Sequence, residues 1–282
     1  MSEAYFLTVC SLGENPNLGD CLRNLLEIKE TTSENVEVLL IINKKKVNQT
    51  YDSRVHVHFE PSMGYSNVRN RAISVIPENA NLIFLDDDEI PSLSWFEALV
   101  KAHKKYNTDV IFGPVFPLQK ASDNSYRSAA SQKYKKFMDG DVVKQAPTAN
   151  MLIPSLLLNK KLVYFDPIFN KSGSEDTDLC FRLRNHGFNI RFACEAIIYE
   201  NENPQRFDAN YLDARRKKEI ANYSLVIRRN STRSQIFWRF NTLIIRIVFY
   251  GFFAHLNSQY LVERDAYFYS LKVLLSGKPR EV

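Results

Sequence analysis

Apolar positions in the first half of the chain alternate between two rhythms. Tyr5 to Cys10 is a short strand-like run, and Val36 to Ile42 is a nearly continuous aliphatic run, the signature of a strand covered on both faces. Between them Asp20 to Lys29 sets Cys21, Leu22, Leu25, Leu26 and Ile28 at helical spacing, after a Ser11 to Gly19 loop carrying Gly, Asn and Pro as turn residues. That is a βαβ unit. Val55 to Phe59 alternates as a third strand, Ser66 to Val75 predicts a helix entered through Met63-Gly64-Tyr65, and Leu82 to Leu85 is a fourth strand. Ser94 with Glu97 reads as a capping box for a helix through Lys105, with Trp95, Leu99 and Ala102 on one face, and Val110 to Val115 is a fifth strand. Strands separated by helical patterns of this length predict an α/β fold with a doubly wound, mostly parallel sheet and right-handed crossovers.

The fourth strand stops in carboxylates. Asn81-Leu82-Ile83-Phe84-Leu85 runs into Asp86-Asp87-Asp88-Glu89, so the acids fall at a strand's carboxyl end, the edge where open α/β sheets bind ligands. Adjacent acids raise one another's pKa unless a cation neutralises them. With no Cys or His beside them, they suit Mg²⁺ or Mn²⁺, ions that share their coordination with substrate phosphates. The bland alternative is a set of solvated acids placed before the next helix, where its dipole favours them.

A second acidic knot lies downstream. Gly173-Ser174-Glu175-Asp176-Thr177-Asp178 opens a helical stretch that ends at His186-Gly187, with Ser174 as N-cap and Gly187 as C′ residue. The acids complement the helix dipole, but they exceed what the dipole requires. A carboxylate held rigidly there suits a general base for a hydroxyl.

Composition narrows the class. The chain has 282 residues, 45% of them hydrophobic, enough for one large α/β domain with an appendage or for two small domains. The net charge of +5 is uneven: residues 205–282 carry 14 Lys and Arg against 6 Asp and Glu, or +8, while residues 1–204 carry 23 against 26, or −3. Basicity therefore belongs to the C-terminal segment and points to an anionic partner surface there. Cys10, Cys21, Cys180 and Cys194 have no paired spacing and read as reduced thiols. Met1-Ser2-Glu3 leads into a strand with no visible signal peptide, so a cytoplasmic location is expected.

Ser122 to Gln145 is polar and reads as a mobile loop or helix over the site, or as an ordinary surface excursion. The tail leaves the sheet pattern. Asn210 to Arg229 is helical and basic, including Arg215-Arg216-Lys217-Lys218, and Ser234 to Leu256 is apolar and aromatic, with Arg239, Thr242, Arg246 and Tyr250 on one narrow face. A spanning helix would bury Arg246 near mid-bilayer at a cost of a few kcal/mol. A helix lying in the interface, with its Arg side chains at the headgroups and Trp238 and the Phe rings below, involves no such cost, so a peripheral contact with an anionic membrane is expected. The alternatives are a homo-oligomer interface or a helix packed back on the catalytic domain.

Taken in order, Thr8-Val9-Cys10, Gly64 to Ala72 ending in Val68-Arg69-Asn70-Arg71-Ala72, Phe84 to Asp88, Gly113-Pro114-Val115, Thr148 to Ile153, Phe165-Asp166 and Glu175-Asp176-Thr177-Asp178-Leu179 resemble a family 2 inverting glycosyltransferase with the GT-A fold, of the type that builds bacterial surface polysaccharides. The resemblance covers about residues 4 to 229, taken as a catalytic domain 1–229 followed by a helical, membrane-associating segment 230–282. It implies a hexosyltransferase-type enzyme using a nucleotide-sugar donor, a glycan or lipid-linked glycan acceptor, and a divalent Mn²⁺ or Mg²⁺. Asp86 and Asp88 would form a DxD-type metal motif, with Asp87 beside them at the donor. Asp176 would be the base, and Glu175 would bind acceptor or orient it. Thr8, Cys10, Arg69, Arg71 and Asn150 would line the donor site. Relatives commonly carry Asp after the second strand to read the base; Asn43 stands there and retains hydrogen-bonding capacity. Many place a metal-binding His after the last strand; Glu200 stands there, as ligand or as surface acid.

Two other classes remain open. A metal-dependent nucleotidyltransferase would show a glycine-rich basic phosphate loop near the N-terminus, and Ser11 to Gly19 holds no Lys or Arg. A non-catalytic protein binding through the basic tail is the other, but nucleic acid is not its expected partner, because the tail's basic residues precede a thoroughly apolar helix rather than interleaving with aromatics.

Overall fold

The computed structural model describes residues 3–45, 50–107, 109–118, 134–201, 208–257 and 259–279. Strand β1 (Ala4–Ser11) lies at the centre of a seven-stranded sheet, parallel to β2 (Asn35–Ile42) on one side and to β4 (Ala80–Asp86) on the other. β3 (Val55–Phe59) extends the sheet beyond β2, and β8 (Met151–Ile153), β6 (Val110–Phe112) and β9 (Ile190–Phe192) extend it beyond β4, with only β8 antiparallel.

Both faces are covered, which is why the central strands are apolar at most positions. Tyr5, Leu7, Val9, Ile83 and Leu85 pack under α1 (Leu18–Thr31) and α3 (Trp95–Tyr106). Phe6, Leu82 and Phe84 point the other way, toward α2 (Tyr65–Val75) and α5 (Glu175–Asn185). A short helix α4 (Ser155–Asn159) follows β8.

The expected fifth strand is two strands. It breaks at Gly113-Pro114: β6 stays in the large sheet, and β7 (Val115–Leu118) leaves for a small sheet with β10 (Ile198–Asn201) and β5 (Glu89–Pro91). Glycine is required at the break, since a Cβ on Gly113 would lie 2.0 Å from the Ala196 carbonyl oxygen. Two capping expectations also change. Ser94 and Ser174 hold the N-cap positions of α3 and α5, yet neither side chain caps its helix, and Ser174 sits in the left-handed region at φ 75°. Gly187 follows α5 with φ 84°, as its C′ position requires.

Residues 122–133 of the expected lid lie outside the described residues. From residue 134 onward the segment is packed along β9: Tyr134 stacks on Phe192 at 5.9 Å, and Val143 N–H donates to the Ile190 carbonyl at 2.8 Å.

The tail forms three helices, α6 (Ala209–Asn230), α7 (Arg233–Phe252) and α8 (Gln259–Ser276). α6 packs between the catalytic sheet's helix α5 and the rest of the tail. On one side Ala221, Leu225 and Val226 meet Phe169 and Phe181; on the other, Ile220 joins the cluster of Leu243, Tyr267, Leu271 and Leu274. The Arg face of α7 is turned inward. Arg239 donates to Ser224 at 3.0 Å and lies over the Tyr223 ring, while Arg246 reaches the Tyr267 hydroxyl. Arg239 is therefore held inside the tail, Arg246 reaches Tyr267 while staying exposed, and the aromatic face is left outside.

Candidate active site

Strand alternation aims the acids of the first knot. Asp86 follows Leu82 and Phe84 on the α2 face, whereas Asp87 turns toward the loop after β1. There Asp87 accepts from Ser11 Oγ through Oδ2 and from Asn15 Nδ2 through Oδ1 at 2.7 Å, so both its oxygens hold that loop. Asp86 keeps a half-exposed carboxylate. Cys10, paired with Asp86 in register, is a half-buried thiol whose pKa desolvation pushes up to about 12, which makes it an apolar neighbour of the site rather than a nucleophile.

Three consecutive residues of α2 do three different jobs. Gly64 starts the helix at φ 140°, where its N–H donates to Asn43 Oδ1 at 2.8 Å and a Cβ would collide with Asn170. Arg69 then points under the sheet edge with 9% exposure, pairs directly with Glu175 Oε1, and lies 3.9 Å from Asp86 Oδ1. Asn70 exchanges hydrogen bonds in both directions with the Phe165 backbone, at 2.7 and 2.8 Å. Arg71, 200° from Arg69 around the helix, faces a separate groove with Glu60, Ser62, Asn67 and Ser74. The structure therefore brings Arg69 to the acids and takes Arg71 away from them.

The second knot reaches Arg69 because its approach is clamped from two sides. Ser66 and Asn70 of α2 hold the 165–166 backbone. From α6, Arg229 pairs with Asp166, Asn222 donates to the Ser172 and Gly173 carbonyls at 2.8 and 3.1 Å, and Asn230 donates to Asp178 at 2.7 Å. Glu175 is buried, with Oε2 lacking a protein partner, and Asp176 Oδ1 accepts from Thr177 N–H at 2.6 Å. Burial raises the pKa of both; Arg69 opposes the rise, and Asp86 adds to it for each. The two knots are thus one electrostatic cluster with Arg69 at its centre.

Glu89 belongs to the cluster too, although its sequence context gave no reason to separate it from its exposed neighbours. Strand β5 turns it inward to 1% exposure, where Oε2 accepts the Asp86 N–H at 2.8 Å and Oε1 has no partner. Burial, then Asp86, Asp88 and Glu200, hold its carboxyl well above the usual range. Glu200 arrives by pairing directly opposite Glu89, and Asn201 N–H donates to the Asp88 carbonyl at 3.3 Å.

Three expected donor contacts are occupied inside the protein. Asn150, 0% exposed and at φ 61°, accepts from Trp95 Nε1 at 2.7 Å and donates to the Pro114 and Ala196 carbonyls, which ties β8 to the β6–β7 break. Thr8 is fully buried and donates to its own strand at Phe6. Asn43 spends its amide on the Glu60 and Ser62 carbonyls and its oxygen on Gly64. Buried amides with every hydrogen accepted have none left for a ligand.

Among the described residues no three His, Cys, Asp or Glu side chains meet in metal-holding geometry. The donor set nevertheless fits a hard cation that completes its shell with phosphate and water. It consists of carboxylate oxygens, and Asp86, Asp88 and Glu200 add to burial in raising the pKa of a fourth acid, Glu89.

The model of the family described as "Glycosyl transferase family 2" matches residues 7–164, and the chain belongs to that family. No curated protein matches the sequence. Among solved structures, the crystal structure of GalNAc-T7 with UDP, GalNAc and Mn²⁺ superposes with a TM-score of 0.58 at 14% identity, covering 80% of this chain. The chain spans 48% of that protein's length, and the likeness is one of GT-A fold.

Proposed function

We propose that residues 1–229 form the catalytic domain of an inverting enzyme that moves a sugar from a nucleotide-diphosphate donor to a hydroxyl of a glycan or lipid-linked glycan. The reading is carried by one observation: Arg69 joins Asp86 to Glu175, so the strand-end acids and the helix-start acids form a single electrostatic cluster. The neighbour's crystallisation with UDP and Mn²⁺ supports the donor class and the metal.

Asp176 removes the acceptor hydroxyl proton. Its Oδ1 is held by Thr177, which leaves Oδ2 for that proton, and its raised pKa makes it a better base than a solvated aspartate. The acceptor oxygen forms its bond to the anomeric carbon as the nucleoside diphosphate leaves from the opposite face with the bonding pair, and the configuration inverts. Glu175, with Oε1 on Arg69, offers its buried Oε2 to an acceptor hydroxyl. Asp86, Asp88 and Glu200 would hold Mn²⁺ or Mg²⁺, which when bound supplies Lewis-acid neutralisation of the donor's diphosphate. The proposal extends to a cytoplasmic chain acting in surface-glycan synthesis, a placement supported by four free cysteines.

Release of nucleoside diphosphate from UDP-, GDP- and dTDP-sugars, with Mn²⁺ or Mg²⁺ and with chelator, tests the proposal. Turnover of one donor that needs metal and is lost in Asp88→Ala supports it. Metal-independent turnover retained in that variant overturns it.

A further inference from the structure

We infer that the tail docks on an anionic lipid bilayer through the outer face of α7, with the helix lying in the membrane plane. This goes beyond sugar transfer and does not depend on it. Phe237, Trp238, Ile245, Val248, Phe249 and Phe252 are each 51–70% exposed. At 100° per residue they share a sector about 120° wide along the helix. An apolar stripe of this length on a surface marks a docking site rather than scattered exposure.

Lipid fits the stripe better than protein does. A protein interface carries about one hydrogen bond per 100–200 Å². Here the polar side chains within or beside the stripe are turned back on their own helix, Asn241 to the Phe237 carbonyl at 3.0 Å and Thr242 to the Trp238 carbonyl at 2.8 Å. The N-terminal amides are closed by a capping box of Thr232 and Gln235. The face therefore offers a partner mainly apolar surface, as a helix settling into the edge of hydrocarbon should. Charge selects the lipid: from Ile220 to Val262 there is no Asp or Glu, and Arg233 and Arg246 are exposed within that segment, while Arg228, Arg229 and Arg239 are engaged by protein partners. Arg233 opens the helix, exposed beside the stripe.

The in-plane orientation follows from the other face. Arg233–His255 has the length and composition of a membrane span. Its inner side, however, is packed through Leu243 on Tyr267, Leu271 and Leu274 of α8, a helix that also carries Glu263, Arg264, Asp265 and Lys272. Crossing the bilayer would strip α7 from α8 or drag those charges into hydrocarbon.

Trp238 is a built-in reporter, because the other tryptophan, Trp95, is 0% exposed with its N–H bonded to Asn150. The full chain is titrated with phosphatidylcholine vesicles with and without phosphatidylglycerol, following Trp emission, acrylamide quenching and carbonate extraction. The expected result is a blue shift and protection from quenching with anionic vesicles, reversal by carbonate, and at least tenfold weaker partitioning of Val248→Asp/Phe252→Asp with an unchanged circular dichroism spectrum. No shift for wild type overturns the inference whether or not the variant folds. So does a carbonate-resistant protein, which spans, or a lipid-indifferent dimer that the same variant converts to monomer, in which a second copy covers the stripe.

Discussion

Replacing Arg69 by Ala removes the one cation buried among the acids. Glu175 is buried and already lacks a partner for Oε2, so losing Arg69 orphans its charge. Breaking a buried pair costs about 3–5 kcal/mol. Protonation sets a ceiling: at pH 7 a carboxyl with an ordinary pKa near 4.3 takes up a proton for about 3.7 kcal/mol, at 1.36 kcal/mol per unit. The expected deficit of Arg69→Ala at pH 7 is therefore about 3–4 kcal/mol in urea unfolding. The sign of its pH dependence follows. Without Arg69 the folded-state pKa of Glu175, already raised by burial, rises further above its unfolded value, so the folded variant binds the extra proton and gains stability as pH falls. At pH 5.5 protonation costs only about 1.6 kcal/mol, and the deficit should shrink by about 2 kcal/mol. A deficit below about 1 kcal/mol, or one equal at both pH values, would refute Arg69 as the counter-charge that joins the two knots.

Glu89→Gln keeps an acceptor for the Asp86 N–H without needing a proton. Because the folded-state pKa of Glu89 is raised, wild type loses this group's stability as pH climbs, so in chelator the variant should match wild type at pH 4 and exceed it at pH 8 by about 1.4 kcal/mol or more. Asn222→Ala frees the Ser172 and Gly173 carbonyls that lead into Glu175; steady-state kinetics should show a fall in kcat of about tenfold with donor KM little changed, alongside a loss of about 1–3 kcal/mol in unfolding. A fall confined to stability would reduce Asn222 to a structural role. Gly113→Ala places a methyl against the Ala196 carbonyl and should destabilise the fold by more than about 3 kcal/mol, since backbone on both sides must shift.

The parallel half of the sheet was legible because β1, β2 and β4 are buried on both faces and so are apolar at most positions, a pattern local to each strand. The small sheet was not: β5, β7 and β10 are three or four residues long and pair across 83 positions (β7 with β10) or 107 to 111 positions (β5 with β10), with no periodicity to register. Residue type announced Asp86, Glu175 and Asp176, and the geometry joins them. What it could not announce is direction. Arg69 and Arg71 are the same amino acid two residues apart, and only the packing of α2 sends one inward and the other to a separate groove. Glu89 reads as one more acid in an exposed run until β5 buries it. Asn43, Thr8 and Asn150 carry groups able to bind a ligand, but those groups are engaged by backbone partners and the Trp95 ring N–H, which no local pattern reveals. The tail's amphipathicity was visible, whereas its sense was not, because Tyr267 and Ser224, which draw Arg246 and Arg239 inward, lie on other helices.

The most direct test of the central claim is acceptor-dependent transfer by Asp176→Asn, measured with donor affinity by calorimetry and the pH profile of kcat. A base in this electrostatic cluster requires kcat to fall about 10²–10⁴-fold, with donor affinity kept within a few-fold. The wild-type acid limb should lie above the ordinary aspartate range, since burial raises this group. Transfer that survives the substitution undiminished, with the acid limb unmoved, would contradict the assignment and leave the second acidic knot a structural element of α5.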